Sequence, residues 1–202
     1  HLSAADPPFV DMKLIALTRG LHEPVDLFPN AIVVPDSAIT LPGRPLFVPD
    51  FAPCWEARIM VGVRVSRLGK GIAPRFAPRY YDAITLLLRL IPTGGSGYPG
   101  ALAAAFDGCI QQGEWIDIAS LELEAPLTID CCGERIEARH VDLAIDEALA
   151  AVARYTTIRN GDIICSATLP WSAEVAPGHM VEASIGQPGA PSPLPCLHAR
   201  LK

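Results

Sequence analysis

Residues 58–65 read RIMVGVRV, and this stretch gives the clearest structural signal in the chain. The two sets that alternate along it are Ile59, Val61, Val63 and Val65 on one side, and Arg58, Met60, Gly62 and Arg64 on the other. Successive side chains of a strand point to opposite faces of a sheet. A period of two therefore predicts a strand here, with one wholly apolar face directed at a core.

On both sides of this stretch, the chain has short apolar runs separated by many of its 16 Gly and 20 Pro residues. This pattern is typical of a strand-rich protein. Further strands are predicted at residues 13–17, 31–34, 163–166 and 180–185, and a hairpin at residues 127–130 and 135–138. Residues 92–97 and 186–195 are predicted loops, because Gly and Pro dominate both.

One helix is predicted with Asp142 as its N-cap. Ile145, Leu149 and Val152 follow at the spacing that places side chains on one helix face. A shorter, alanine-rich helix is predicted over residues 100–106. Together with the strands, these features indicate an α+β fold that is rich in β-structure.

The bulk composition indicates a globular protein, since 50% of the 202 residues are hydrophobic and the mean hydropathy is +0.29. We expect residues 12–202 to form one domain and residues 1–11 to be a leader or flexible segment. Those first residues lack the basic and apolar regions of a signal peptide. No apolar run is long enough for a membrane helix, so we expect no membrane partner.

The charge argues against a nucleic-acid-binding protein, and the cysteine spacing argues against a zinc site or a disulfide framework. The net charge is −6 and the 16 Lys and Arg are spread along the sequence, so no nucleic-acid partner is expected. The six cysteines, at positions 54, 109, 131, 132, 165 and 196, contain no CxxC pair. We therefore expect buried, reduced thiols in a cytoplasmic protein.

Several ordered segments give the chain a resemblance to a known family. They are, in chain order, 35–38 (PDSA), 43–45 (GRP) leading to 48–51 (VPDF), 63–70 (VRVSRLGK), 79–82 (RYYD), 105–108 (AFDG), 113–115 (GEW), 133–134 (GE) and 156–164 (TTIRNGDII). Each is weak alone, but their order and spacing resemble the short single-domain bacterial members of the fumarylacetoacetate hydrolase superfamily from about residue 12 to the end.

The resemblance implies a mixed β-sandwich roll, usually a homodimer, and a small acidic metabolite as the ligand. Members of the family hydrolyse, decarboxylate, hydrate or isomerise 2-oxo and dicarbonyl acids. They use Mg²⁺ or Mn²⁺, which is held by a Glu-x-Glu pair on one strand and an Asp on a later strand. Residues i and i+2 of a strand share a face, so the two glutamates can grip one hard cation.

This sequence departs from the family at those positions. An ungapped match places the Glu-x-Glu pair at Arg58 and Met60, the metal-binding Asp at Arg89, and the active-site lysine at Ala104. We therefore expect no metal cofactor and weak or absent catalysis, because a guanidinium does not coordinate a divalent cation. A gapped alternative, in which Glu56 is a remnant of the pair, remains open.

Other parts of the family pattern are partly kept. Thr168 and Ser166 stand where a strand of the family reads Thr-Gly-Thr-Pro, so they are candidates for the substrate pocket, as is Asp107 after the lost lysine. The family's Asn-Tyr-x-x-His stretch is not recognisable, and His22 lies outside its pattern. His140, His179 and His198 are isolated and are expected to be surface or hydrogen-bonded residues.

Three functional interpretations follow. The chain could be a residual metal enzyme if Glu56, Asp82 or Asp107 supplied new ligands. It could bind a small anion, a carboxylate or a phosphate, between Arg58 and Arg89. The plainer alternative for the two arginines is that they reach solvent or pair with local acids. The third interpretation is a structural pseudoenzyme that needs nothing beyond the fold.

Overall fold

The computed structural model describes residues 12–27, 31–95, 100–122, 124–188 and 192–202. The predicted leader, residues 1–11, lies outside these ranges, as does part of each predicted loop. The described strands are β1 Lys13–Leu17, β2 Ala31–Pro35, β3 Ile39–Thr40, β4 Cys54–Val65, β5 Tyr81–Thr93, β6 Ile110–Gln112, β7 Ile116–Asp117, β8 Leu127–Cys131, β9 Glu134–Ala138, β10 Ile163–Val175, β11 Met180–Gly186 and β12 Leu194–Arg200. The helices are α1 His140–Leu143 and α2 Ile145–Tyr155, with 3-10 turns at Asp36–Ala38, Pro74–Arg79, Gly100–Ala104 and Ile118–Ser120.

A large mixed sheet is built around β4. Its order is β2-β1-β10-β4-β5-β6-β3, and β7 pairs with β5 outside this path. The β1–β10 and β3–β6 pairs are parallel, and the other pairs are antiparallel. The predicted strand at residues 58–65 is confirmed as the second half of β4, which pairs with β5 along almost its whole length.

A second, antiparallel sheet has the order β12-β11-β8-β9 and contains the predicted hairpin. It meets the large sheet where β12 crosses β5. There the Leu86 amide donates to Cys196 Sγ at 3.1 Å, and the Glu114 amide donates to the Cys196 carbonyl oxygen at 2.6 Å. Gly113 lies at this crossing, and a Cβ on it would come within 2.5 Å of the Cys196 carbonyl oxygen. The close approach of the two backbones therefore requires glycine.

The two faces of β4 are buried in different apolar clusters. The odd-numbered side chains, Ile59, Val61 and Val63, join the main core, to which α2 contributes Leu149 and Val152. The even-numbered Met60 joins a smaller cluster on the opposite face. The predicted alternation is confirmed, and the strand-rich α+β fold is confirmed with it.

The helix predictions need two corrections. Asp142 is not an N-cap: it is the third residue of α1, where its side chain accepts from the backbone amide of Arg139 at 3.1 Å. Ala144 then adopts a left-handed conformation with φ 48°, and α2 begins after it. The helix expected at residues 100–106 is a 3-10 turn, Gly100–Ala104.

The strand expected at 163–166 continues to Val175, interrupted by bulges.

Candidate functional site

The residues at the predicted metal positions lie together on one face of the large sheet. Arg58 is directly opposite Arg89 in the β4–β5 register, and Met60 is opposite Leu87. Directly opposed residues of two strands project to the same face, as do residues i and i+2. Arg58, Met60 and Arg89 therefore share the face that carries the smaller apolar cluster.

Met60 is packed as a core residue. It has no exposed surface, and its cluster includes Leu14, Leu87, Cys165 and Ile110. The next residue on this face, Gly62, has Leu87 Cδ1 only 2.6 Å from where a Cβ would stand. Apolar side chains thus fill the layer in which a hydrated cation would need open space and oxygen ligands.

Arg58 lies at the open edge of this layer. Its side chain is 49% exposed, and its Nε donates to a carboxylate oxygen of Glu56, two residues earlier on the same face. Ser172 and Glu174, both exposed, are the β10 partners of Arg58 and Glu56. Because the pair is open to solvent, it contributes at most about 1 kcal/mol to stability.

Arg89 is in a different environment. Its Nε is buried and has no hydrogen-bond partner in the described part of the chain. Burial lowers the pKa of Arg89, and the positive charge of Arg58 adds to that shift. A buried donor without a partner costs about 1–3 kcal/mol. A group that could accept from Arg89 would therefore relieve an existing penalty.

The two thiols near Arg89 stay protonated at neutral pH. Burial raises the pKa of Cys109 to about 12, and the nearby Arg89 guanidinium only partly offsets this. Burial also raises the pKa of Cys165. All six cysteines are free thiols, as predicted, but only four of them are buried: Cys54 is half-buried and Cys132 is exposed. Neither Cys109 nor Cys165 therefore supplies a negative charge that would neutralise Arg89.

The remaining predicted site residues are spread over the edge of the same region. Thr168 is half-buried and lies opposite Met60 in the β10–β4 register. Ser166 is buried, and its Oγ has no partner among the described residues. The carbonyl oxygen of Ala104 accepts from Cys109 Sγ at 3.4 Å, and Asp107 is exposed in the following turn.

New carboxylate ligands do not assemble around these positions. Asp82 accepts from Arg64 Nε at 2.8 Å, and Glu56 is paired with Arg58. Among the described residues, no group of three or more His, Cys, Asp or Glu side chains could hold a metal ion. The described side chains therefore do not fit the three-carboxylate metal site that the resemblance implies.

Two buried charges escaped the sequence analysis. Arg19 is 2% exposed, and among the described residues its guanidinium donates only to backbone carbonyl oxygens. Asp162, inside the quoted 156–164 segment, accepts from the Lys13 side chain and from the backbone amides of Lys13 and Arg159. No local pattern marks Arg19, because its five acceptors come from separate parts of the chain.

The isolated histidines have local partners, as expected. His140 Nε2 lies 3.4 Å from an Asp146 oxygen, and Tyr81 donates to the other oxygen of Asp146 at 3.0 Å. His198 Nδ1 lies 2.8 Å from Glu182 Oε1.

In the described part of the chain, no helix is both long enough and apolar enough to cross a membrane.

Solved structures share this architecture, although no protein-family model matches the chain and no curated protein matches it. A protein from Yersinia pestis CO92 assigned to the fumarylacetoacetate hydrolase family aligns with a TM-score of 0.75 and 18% identity, over 97% of this chain and 95% of that one. The 5-carboxymethyl-2-hydroxymuconate delta-isomerase from Mycobacterium smegmatis aligns with a TM-score of 0.77 and 19% identity, over 94% and 76%.

A third structure is that of maleylpyruvate hydrolase from Sphingobium sp. SYK-6 in complex with manganese(II) ion and pyruvate. It aligns with a TM-score of 0.74 and 19% identity, over 94% of this chain and 69% of that one. TM-scores of this size at identities this low establish a shared fold and nothing more. The chain therefore has the fold that its sequence resemblance predicted, that of fumarylacetoacetate hydrolase family proteins.

Proposed function

We propose that this chain is a fumarylacetoacetate hydrolase-type protein that has lost the divalent-cation site and, with it, metal-assisted catalysis on 2-oxo or dicarbonyl acids. One observation carries the proposal: Arg58 and Arg89 face each other across β4 and β5, beside a Met60 that has no exposed surface. The resemblance puts the three metal-binding carboxylates at these positions.

The electrostatic interaction of Arg58 and Arg89 with a divalent cation is repulsive. A guanidinium about 6 Å from a divalent cation repels it by roughly 5 kcal/mol at an effective dielectric constant of about 20. That figure applies to the half-buried Arg89; Arg58 adds a smaller repulsion, because its side chain is 49% exposed and Glu56 partly neutralises it. Met60 supplies a soft thioether where a hard cation needs oxygen. Each of the three side chains therefore disfavours Mg²⁺ or Mn²⁺ binding.

Calorimetry with Mn²⁺ tests this proposal directly. We expect no 1:1 binding and no turnover of maleylpyruvate or 5-carboxymethyl-2-hydroxymuconate, the compounds in the names of two structural neighbours. The double variant Glu56→Gln/Asp107→Asn is the matched control, because Glu56 is paired with Arg58 and Asp107 lies near Cys109, which neighbours Arg89. Stoichiometric Mn²⁺ binding by the unmodified protein that disappears in this variant would refute the proposal and support a rebuilt enzyme site.

A second candidate function is the binding of a small carboxylate or phosphate between Arg58 and Arg89. It is favoured by the buried, unpartnered Nε of Arg89. Two opposed guanidinium groups repel each other, and Glu56 neutralises only Arg58. An anion between them would accept from both and would satisfy the buried donor.

A thermal-shift titration with pyruvate, oxaloacetate and inorganic phosphate tests this second function. We expect a rise in melting temperature that is lost in Arg89→Gln and strengthened in Glu56→Gln, because Glu56 competes for Arg58. Arg135→Gln, an exposed change on β9, is the control and should leave the shift unchanged. Equal responses in all four proteins would show that the arginine pair is not the binding site.

The proposal extends to a structural role for a cytoplasmic homodimer. Several large apolar side chains are exposed, including Phe47 at 65% and Phe51 at 48%, and a partner surface could cover them. Light scattering coupled to size-exclusion chromatography should give twice the mass of one chain. A mass of 21.6 kDa at micromolar concentration would contradict the homodimer.

A further inference from the structure

The positive charge of this acidic chain is concentrated in one segment. Six of its 16 Lys and Arg residues lie between Glu56 and Asp82, an interval without any acidic residue. Two of the six are paired at its edges: Arg58 with Glu56 and Arg64 with Asp82. The other four are Arg67, Lys70, Arg75 and Arg79, all exposed.

None of these four forms an ion pair with a carboxylate of the described chain. These four cations fall within residues 67–79, so their positive charge is local even though the Lys and Arg of the whole chain look scattered.

The fold brings a fifth cation to them from α2. The Gly71 amide donates to the Ala153 carbonyl oxygen at 2.8 Å, and Lys70 Nζ donates to the Tyr155 carbonyl oxygen at 3.3 Å. These bonds hold the loop that carries Arg67 and Lys70 against the end of α2, where Arg154 is exposed. The loop and α2 therefore place Lys70 and Arg154 at the same end of the helix.

Apolar side chains are exposed among these cations. Phe76 is 39% exposed, with Arg75 Cζ 4.7 Å and Arg79 Cζ 5.4 Å from the centroid of its ring. Leu68 is 70% exposed. Stacking on the ring holds each guanidinium plane in place and leaves its N–H groups free to face solvent. The surface thus combines positive charge with exposed apolar area.

A groove of about 500 Å³ lies between this loop and α2, and we call it the basic groove. One wall is formed by Gly71 to Pro74, which Lys70 and Arg75 flank in the chain, and the other by Ala150, Ala151 and Arg154 of α2, with Val25 beside them. Arg154 is the one cation among its described lining residues, and the small side chains of both walls leave room between the loop and the helix. Glu147 lies on the same wall two helical turns from Arg154, about 10 Å away.

We propose that the basic groove docks an acidic peptide segment of a partner protein, one that carries both carboxylates and apolar side chains. The apolar side chains enter the groove between the loop and α2. The carboxylates meet Arg154, Lys70 and the two stacked arginines, where bidentate contacts are available. Glu147 repels acids at the far end, so the peptide's charge lies toward Arg154. This proposal does not depend on the function of the Arg58–Arg89 site.

The groove's shape and charge favour this occupant over two others. A lipid surface is broad and flat, and a groove of this volume between a loop and a helix offers it little contact. A nucleic acid carries charge along its whole length, and it would meet Glu147 within the groove and a protein of net charge −6 around it. A short acidic segment needs complementary charge at one end only.

Fluorescence anisotropy with three labelled twelve-residue peptides tests the proposal. The first contains eight Glu and four Leu, the second twelve Glu, and the third eight Lys and four Leu. We expect the Glu/Leu peptide to bind at least five times more tightly than the all-Glu peptide, and the Lys/Leu peptide not to bind. Binding of the Glu/Leu peptide should weaken at least fivefold between 0.05 and 0.5 M salt.

Variants separate the groove from general charge effects. Arg75→Glu/Arg79→Glu should weaken binding of the Glu/Leu peptide at least tenfold. The control Arg44→Glu/Arg135→Glu makes the same change in net charge at exposed positions elsewhere and should stay within twofold of the unmodified protein. Ala151→Trp fills the groove without changing charge and should weaken binding at least fivefold. Circular dichroism should show that each variant is folded.

Four results would overturn the proposal. One is no binding of the Glu/Leu peptide up to millimolar concentration. Another is equal weakening by the charge-matched control. Binding of vesicles of phosphatidylserine and phosphatidylcholine through Arg75 and Arg79, without peptide binding, would assign the surface to a membrane. Binding of a twenty-nucleotide single-stranded DNA at a higher affinity than the peptide would assign it to nucleic acid.

Discussion

Replacing Arg19 with methionine should destabilise the protein more than any surface change. Its guanidinium donates to the carbonyl oxygens of Glu23 at 2.8 Å, Leu21 at 2.9 Å, Ser166 at 2.9 Å, Asp142 at 3.1 Å and Leu143 at 3.3 Å. These acceptors belong to the loop after β1, to β10 and to α1. Arg19 therefore ties three separate parts of the chain together.

The size of the effect follows from two opposing contributions. Five hydrogen bonds from a charged donor contribute roughly 1.5–3 kcal/mol each before desolvation. Burying a guanidinium without a carboxylate partner costs several kcal/mol, and this burial also lowers the pKa of Arg19. Methionine would remove both contributions but leave several carbonyl oxygens without donors. We expect a net loss of about 3–5 kcal/mol in the free energy of unfolding.

Urea denaturation followed by circular dichroism measures this loss. Arg19→Lys should lose somewhat less than Arg19→Met, because an ammonium has three donors for five acceptors. Arg139→Met is the matched control: Arg139 is an exposed arginine paired with Asp142, and its loss should amount to less than about 1 kcal/mol. If Arg19→Met lost no more than this control, the five-acceptor network would have no net stabilising role.

Three further predictions concern other buried or coupled groups. Asp162→Asn should lower the free energy of unfolding by about 3–5 kcal/mol, measured by urea denaturation, because Lys13 would lose its buried counter-charge. Gly113→Ala should cost at least about 2 kcal/mol in the same assay, since its Cβ would overlap two backbone carbonyl oxygens; an unchanged midpoint would mean that β12 shifts freely. The hydrogen bond to Asp146 raises the pKa of His140 above its usual 6.5, against the effect of burial. Its stabilising contribution is therefore complete below about pH 6.5 and is lost as pH rises through the folded pKa, a dependence that nuclear magnetic resonance titration should show and His140→Gln should abolish.

The sequence was sufficient to predict a structural element where a local pattern alone decides the geometry. The alternation at 58–65 gave both the strand and its buried face, because the period of two is a direct consequence of strand geometry. The start of the helix was not predictable in the same way. Asp142 has the chemistry of an N-cap, but Ala144 adopts a left-handed conformation that its side chain does not favour, so the surrounding packing imposes the break.

The candidate site, like the fold, could be predicted only in part. The resemblance predicted that Arg58 and Arg89 lie close together, and the β4–β5 register places them directly opposite each other. The complete burial of Met60 was not predictable, since it depends on side chains from β1, β5, β6 and β10 meeting on one face. The basic groove was missed for a different reason. The cluster of cations between Glu56 and Asp82 is visible in the sequence, but only the packing of that loop against the end of α2 brings Arg154 to it.

Under the proposed function, Arg58, Met60 and Arg89 exclude a cation by different physical means, and this bears on whether a cation site could be restored. Arg58 repels a cation from the solvent-exposed edge, and Arg89 repels it from the half-buried interior. Met60 excludes it sterically, because its layer is filled by Leu87 and its neighbours. Reversing one charge would leave the other guanidinium and the filled layer in place. A glutamate at position 60 would need a cavity and hydrogen-bond donors that this packing does not provide. Under the proposed function, loss of the cation site is therefore a property of the whole face of the sheet, and no single substitution should restore it.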